Sequence, residues 1–356
     1  MIRILHSADW HLDAPLTGRR DEEAAFLRSA MTKLPDQIVS LARERGCHML
    51  LLSGDLFDGP YTPETLRGVI RALGEAEMPV FIAPGNHDPV TGDSPWLRPD
   101  WPENVHIFTG SAPAGIPLPE LDCRVYGAGF HGPESEGMLR NFRAEGQERY
   151  CVGVFHGDML TAGRYNPITA AQATESALDY LALGHIHQTG QLRCGETLCA
   201  WPGCPMGKGF DELGEKGVLL VTLDEGAKAE FLPLDTPRFL EIEADISENA
   251  PQALETALSG LRQRDFIRLS LTGEAERPDL EALRASFSQY EHLFLRDRTT
   301  PVVDLWETAG EDTLEGTFFA LLQQRMEGQS DDEQEKCRLA AKIVRQLLQG
   351  REVKLP

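Results

Sequence analysis

The sequence predicts an α/β protein built on two packed sheets, followed by a small α+β segment and a pair of helices. Three observations predict it. Short β-rich apolar runs alternate with amphipathic stretches over the first 235 residues, the alternation gives way to strands without helices after residue 188, and Thr236-Pro237 opens a segment with a different rhythm.

Residues 2–5, 49–52 and 80–83 read as buried strands, each closed by a polar, glycine-containing turn. Between them, residues 20–45 and 63–77 carry helix-period apolar spacing: Phe26, Met31, Leu34, Ile38 and Leu41, then Leu66, Val69, Ile70 and Leu73. Strands alternating with helices predict parallel pairing at the sheet centre. Further strands are expected at 105–108, 124–127, 150–155 and 180–183. After residue 188 come strands at 189–192, 198–201, 218–223 and 229–232, which predict a second, more antiparallel sheet packed on the first.

The segment 237–309 reads as strand 239–244, helix 250–263, strand 266–271, helix 278–288 and strand 293–295. Residues 310–356 read as two helices. The second, over 332–349, opens on the capping-box pattern Ser330-Asp-Asp-Glu333 and gathers Leu339, Ile343, Val344, Leu347 and Leu348 on one face. Residues 1–236, 237–309 and 310–356 are therefore the three expected parts.

Composition excludes several classes. Of 356 residues, 41% are hydrophobic and 25% charged, which suits a globular protein, and no run of eighteen apolar residues marks a membrane span. The start, MIRILHSADWHL, lacks the apolar core of a signal peptide, so a cytoplasmic location is expected. Seven scattered cysteines, odd in number and without a CxxC pair, argue against a disulfide framework and a thiolate zinc site. The net charge of −22 opposes simple nucleic-acid binding, so a polyanionic substrate would need metals, local arginines or a partner to hold it.

Five short segments place metal-capable side chains where a strand gives way to a loop. They are Asp9-Trp-His11, Gly54-Asp55-Leu-Phe-Asp58, Gly85-Asn86-His87-Asp88, His156-Gly-Asp158 and Gly184-His185-Ile-His187. Carboxylates, imidazoles and one amide oxygen form a borderline-hard set suited to Mn, Fe or Zn. The spacing in Asp9-x-His11 and in His185-x-His187 projects both side chains to one side of an extended backbone. Gly54, Gly85 and Gly184 precede ligand candidates, where the chain has to turn and leave room for ions. Any one histidine alone is more often structural than a ligand; five segments in this order are not coincidence. His48, His106, His131 and His292 lack the context and read as structural, while His6 could stand behind the ligands.

The order D-x-H, GD-x-x-D, GNHD, H, GH-x-H resembles that of the calcineurin-like metallophosphoesterases. HSADWHLD and GDLFD resemble their DNA-repair nuclease branch, which includes the nuclease subunit of bacterial SbcCD and its archaeal and eukaryotic counterparts. HLDAP, in place of the HLG more usual there, points to a shorter bacterial subfamily of DNA-repair exonucleases. The resemblance implies a four-layer α/β/β/α sandwich with a capping domain that orients DNA, and dependence on manganese. It implies that Asp9, His11 and His187 hold one ion, that Asn86, His156 and His185 hold the other, and that Asp55 bridges both. It further implies an SMC-like ATPase partner docked on the C-terminal helices, and pairing of two copies through the phosphoesterase domain.

His87 adjoins the ligand Asn86 and the family assigns it no metal, which makes it the expected general acid. Asp88 or Asp58 would orient an imidazole, or else cap a loop. A DNA exonuclease or endonuclease leads, ahead of a nucleotide phosphodiesterase or phosphatase and of a non-catalytic scaffold for an ATPase. Arg262, Arg264 and Arg268, or Arg296 and Arg298, are candidates for a phosphate-binding surface, with a solvated face as the alternative.

Overall fold

Every residue of Met49–Leu52 is buried, because its alternate side chains enter two different cores. Leu50 and Leu52 join Leu5, Val80 and Ile82 against the helices, whereas Met49 and Leu51 join Ile4, Phe81 and the side chains of a second sheet. A strand apolar on both faces has to lie inside a layered stack. The computed structural model, which describes residues 1–159, 163–302 and 304–348, contains that stack.

The first sheet begins with β1 (Ile2–Ser7), β2 (Met49–Leu52), β3 (Val80–Ile82) and β4 (Val105–Ile107), and α1 (Asp21–Met31), α2 (Leu34–Glu44) and α3 (Pro63–Gly74) lie in its connections. These strands pair in parallel, with Leu5 opposite Leu50, Leu51 opposite Phe81 and Phe81 opposite His106. The second sheet holds β5 (Ala114–Leu118), β6 (Cys123–Gly127), β7 (Tyr150–His156), β8 (Tyr180–Gly184), β9 (Gly190–Cys194) and β10 (Thr197–Trp201) in the order β5-β6-β7-β8-β10-β9, with α4 (Ala170–Glu175) before β8. The chain then returns through β11 (Gly217–Leu223) and β12 (Ala227–Pro233) to the first sheet, ordered β12-β11-β1-β2-β3-β4.

Three apolar clusters glue the layers. Leu27, Leu34, Ile38, Leu66 and Leu73 meet one face of the first sheet; Val125, Val152, Val154 and Ala182 meet its other face; Phe155, Leu181 and Leu183 turn outward to Ile168, Ala173 and Leu178. The result is the expected α/β/β/α sandwich.

Three details depart from the sequence reading. The second sheet is parallel at its centre, through β6, β7, β8 and β10, and the β11–β12 hairpin joins the first sheet, with β11 antiparallel to β1 and β12 antiparallel to β11. The reason shows in β7, whose seven residues are all buried as in a central strand covered on both faces. Residues 20–45 form two helices rather than one, because Pro35 brings no N–H and crowds the preceding turn; it sits instead in the first turn of α2. β5 was hidden by Pro117, which an edge strand tolerates.

The chain divides into two compact units. The first is Met1–Ile242 with Gly260–Arg268 and Ser288–Phe294; the second is Glu243–Ser259 with Leu269–Phe287 and Leu295–Pro356. A third sheet, β13 (Phe239–Asp245), β14 (Phe266–Thr272) and β15 (Leu293–Asp297), is ordered β13-β14-β15. The helices of the second unit are α5 (Ala250–Leu258), α6 (Leu280–Ser286), α7 (Leu314–Met326) and α8 (Asp331–Leu348). On α8 the buried side chains are Cys337, Ala341 and Arg345, so Leu347 and Leu348 remain 60% and 57% exposed. Residues 349–356, including the last residue of the expected 332–349 helix, lie outside the described residues.

Candidate metal centre

β1 ends at Ser7, and the chain then turns through left-handed backbone at Asp9 (φ 54°) and His11 (φ 46°). Asp55 after β2 (φ 53°) and His185 after β8 (φ 85°) share that conformation, which costs about 1–3 kcal/mol at each non-glycine residue. Hydrogen bonds between neighbouring loops hold it: Asp9 N–H donates to Gly54 O and His11 N–H to Asp55 O, both at 3.0 Å. The Asp9-x-His11 pair is therefore aimed by a turn, not by the extended backbone its spacing suggested. Of the three glycines, only Gly54 has positive φ (89°); a Cβ at Gly85 would collide with the Asp55 carboxylate, and one at Gly184 with the Ser53 carbonyl.

The structure brings the seven ligand candidates together. A run of close approaches links His187 Nε2 to His11 Nε2 (3.0 Å), His11 Nε2 to Asp55 Oδ2 (3.8 Å), Asp55 Oδ2 to His156 Nε2 (3.3 Å) and His156 Nε2 to Asn86 Oδ1 (2.9 Å). Asp55 stands in the middle. Asp9 falls within 4.8 Å of both groups, with His11 and His187 on one side and with Asp55 and His156 on the other. The His185-x-His187 imidazoles part: His187 meets His11, while His185 packs its ring 5.3 Å from that of His156.

Behind these atoms stands a layer that fixes them. His11 Nδ1 bonds to Asp58 Oδ1 at 2.9 Å, His187 Nδ1 to Glu212 Oε1 at 2.5 Å and His156 Nδ1 to Ser53 O at 2.9 Å. With Nδ1 spent on an acceptor, each imidazole keeps its Nε2 lone pair for the centre. Asp9 Oδ2 is buried and has no hydrogen-bond partner among the described residues. Converging imidazole lone pairs beside an orphaned buried carboxylate oxygen are what a divalent cation fits, and the O/N donor set matches Mn, Fe or Zn.

The electrostatics follow from these contacts. Hydrogen bonds from His11 and His87 hold the Asp58 carboxyl well below the usual range. Burial pushes the Glu212 carboxyl up, but the hydrogen bond from His187 and the charge of Lys208 outweigh it and bring it to about 2. His87 is raised, chiefly by its hydrogen bond to Asp58. Its side chain is 48% exposed, and Nδ1 lies 2.7 Å from Asp58 Oδ1, which leaves Nε2 for proton exchange.

Of the two roles open to Asp88, orienting a catalytic imidazole or capping a loop, the structure shows the second. Asp88 is buried, and its carboxylate accepts the backbone N–H groups of Gly85 (2.7 Å), Leu56 (2.7 Å), Phe57 (3.1 Å) and Asp55 (3.3 Å). It ties two ligand loops together, and Asp58 is the imidazole partner. Glu212 was missed altogether; its sole signal is an acid in the glycine-rich stretch 203–217. His6 is buried between Tyr180 Oη (2.8 Å) and Ser53 Oγ (2.7 Å), one residue behind the His156 contact. His48, His106, His131 and His292 lie outside the cluster, for example with His48 accepting Arg3 N–H and His106 stacked on Phe81.

The first arginine group is not a vacant phosphate surface: Arg262 and Arg264 pair with Asp235, while Arg268 pairs with Glu241 and lies over the Phe210 ring. Arg296 and Arg298 are exposed.

Carboxylates, imidazoles and an amide converging at the carboxyl ends of parallel strands define a metal-dependent hydrolase. The chain belongs to the calcineurin-like phosphoesterase family, whose sequence model matches residues 2–189. That family uses a dinuclear metal site. The chain is 28% identical over 313 residues to the uncharacterized metallophosphoesterase YhaO of Bacillus subtilis (strain 168), covering 81% of this chain and 76% of that one. It is 24% identical over 281 residues to a subunit of the nuclease SbcCD from the same organism, covering 65% and 68%. Against the corresponding SbcCD nuclease subunit of Rhodobacter capsulatus it is 27% identical over 368 residues, covering 83% and 86%. Among the described residues no helix is long and apolar enough to cross a membrane.

Proposed function

We propose that this chain is the manganese-dependent nuclease subunit of a cytoplasmic DNA-repair complex, cleaving phosphodiesters as an exonuclease or endonuclease alongside an SMC-like ATPase. The observation that carries phosphoester hydrolysis is the half-exposed His87, held by the same Asp58 oxygen that holds the ligand candidate His11. The start DWHLD and the likeness to two proteins named as SbcCD nuclease subunits support DNA as the substrate.

In this reading Asp9, His11 and His187 would hold one ion, Asn86, His156 and His185 would hold the other, and Asp55 would serve both. Bound ions of this kind supply Lewis-acid polarisation of phosphoryl oxygens and lower the pKa of water. His87 gives a proton from Nε2 to the departing sugar oxygen, and Asp58 steadies the imidazolium before the transfer. Lys208 Nζ, 3.6 Å from Glu212 Oε1, balances the carboxylate that orients His187. The exposed Leu347 and Leu348 of α8 support docking of the ATPase there, and a second copy of this chain is a further partner in this reading.

A second reading, a nucleotide phosphodiesterase or phosphatase, is favoured by the net charge of −22 and by the neutralised Arg262, Arg264 and Arg268. A scaffold without activity is disfavoured by the complete donor set. Hydrolysis assays with Mn²⁺ on linear duplex DNA, single-stranded DNA and cyclic nucleotides separate the readings. Cleavage of DNA is expected; cleavage confined to cyclic nucleotides would overturn the nuclease reading.

A further inference from the structure

The geometry points to Tyr165 as a stacking platform for the nucleobase next to the scissile phosphate. This inference rests on the phosphodiesterase reading and adds a base-binding contact to its site. Tyr165 is 39% exposed, and its ring lies 4.8 Å from the His185 imidazole at an interplanar angle of 36°. One part of the ring therefore touches a candidate metal ligand while the rest is in solvent.

The segment that presents it is pinned. Asn166 is fully buried in a left-handed conformation (φ 50°); its Nδ2 donates to His156 O (2.8 Å), its Oδ1 accepts from Met138 N–H (2.6 Å) and its own N–H donates to Ser135 O (3.0 Å). Strain held by three hydrogen bonds, one of them to the carbonyl of the ligand candidate His156, fixes the ring beside the centre. The neighbouring Arg164 is held by Glu134 at 3.0 Å, which leaves the Tyr165 ring as the aromatic face next to His185. Every base has a π-face, so a stacking tyrosine holds a nucleotide without reading its sequence. That suits a chain whose net charge disfavours holding DNA by its phosphates alone.

The test is calorimetric binding to the Mn²⁺-loaded full chain of dAMP, a phosphorothioate dinucleotide and methyl phosphate, with Tyr165→Ala and Tyr165→Phe compared with the parent. Tyr165→Ala is expected to weaken a base-bearing ligand roughly tenfold or more and leave methyl phosphate unchanged, while Tyr165→Phe stays within about twofold of the parent. The larger loss tells whether the platform serves a strand or a free nucleotide. Equal weakening of methyl phosphate, loss of Mn²⁺ from Tyr165→Ala, no change at all, or a Tyr165→Phe effect as large as that of alanine each overturn the proposal. Equilibrium binding needs no turnover. A protein that binds base-bearing ligands through Tyr165 yet cleaves no phosphodiester sinks the proposed activity and leaves the platform standing.

Discussion

One carboxylate oxygen, Asp58 Oδ1, serves two imidazoles with different duties: His11 at 2.9 Å, aimed at the centre, and His87 at 2.7 Å, aimed at the solvent side. That division predicts different failures. His87→Ala should lower kcat by about 10²–10⁴ while both ions stay bound, whereas Asp55→Ala should lose metal, as read by elemental analysis beside steady-state kinetics. Equal metal loss in the two variants would contradict the division. Glu212 makes the same kind of claim about His187. Glu212→Gln should weaken metal binding about 10–100-fold, measured by competition with a chelator, and an unchanged affinity would count against it. The ligand candidates and His87 were legible because each closes a strand within a motif. The roles of Asp58 and Asp88 were not, since both follow a motif in the same way and only the loop geometry decides which faces a ring and which faces backbone amides. Glu212 lies 25 residues after the ring it orients, with no spacing rule connecting them.

Between elements, His6 is the clearest polar link. It stands on β1 and bonds to Tyr180 at the start of β8, so a neutral imidazole ties the two sheets inside a buried layer. Burial lowers its pKa to about 3 from an ordinary 6.5. The unfolded chain therefore binds a proton that the folded chain refuses between those values. The contribution is intact above pH 6.5 and is lost as pH falls toward 3, at about 1.4 kcal/mol per pH unit. Urea unfolding at pH 7 and pH 5 should show this slope shrink in His6→Gln, whatever that variant does to stability at pH 7; an identical slope would remove His6 from the account. Strand positions were legible at this scale because burial on two faces leaves an apolar run. Sheet membership was not, because a strand's period reports which of its faces are covered and not by which sheet, so β11 and β12 were placed with the wrong neighbours.

Across the whole molecule, a net charge of −22 sets the terms for any polyanion, and the positive charge for one would come from bound ions, from exposed arginines such as Arg296 and Arg298, or from a partner. The exposed end of α8 predicts the last of these. A Leu347→Glu and Leu348→Glu double variant should lose binding to an SMC-like ATPase in pull-down while hydrolysing small phosphodiesters as before, and undiminished binding would remove the docking role. The layered architecture was legible from the family motifs and the strand–helix rhythm.

The central claim is that seven side chains hold two ions with Asp55 between them, and it is tested most directly by an anomalous-scattering map from crystals soaked in Mn²⁺. The account predicts two peaks, one among Asp9, His11 and His187 and one among Asn86, His156 and His185, both within coordination distance of the Asp55 carboxylate. A single peak, or a peak seated on Asp58 and His87 instead, would contradict it.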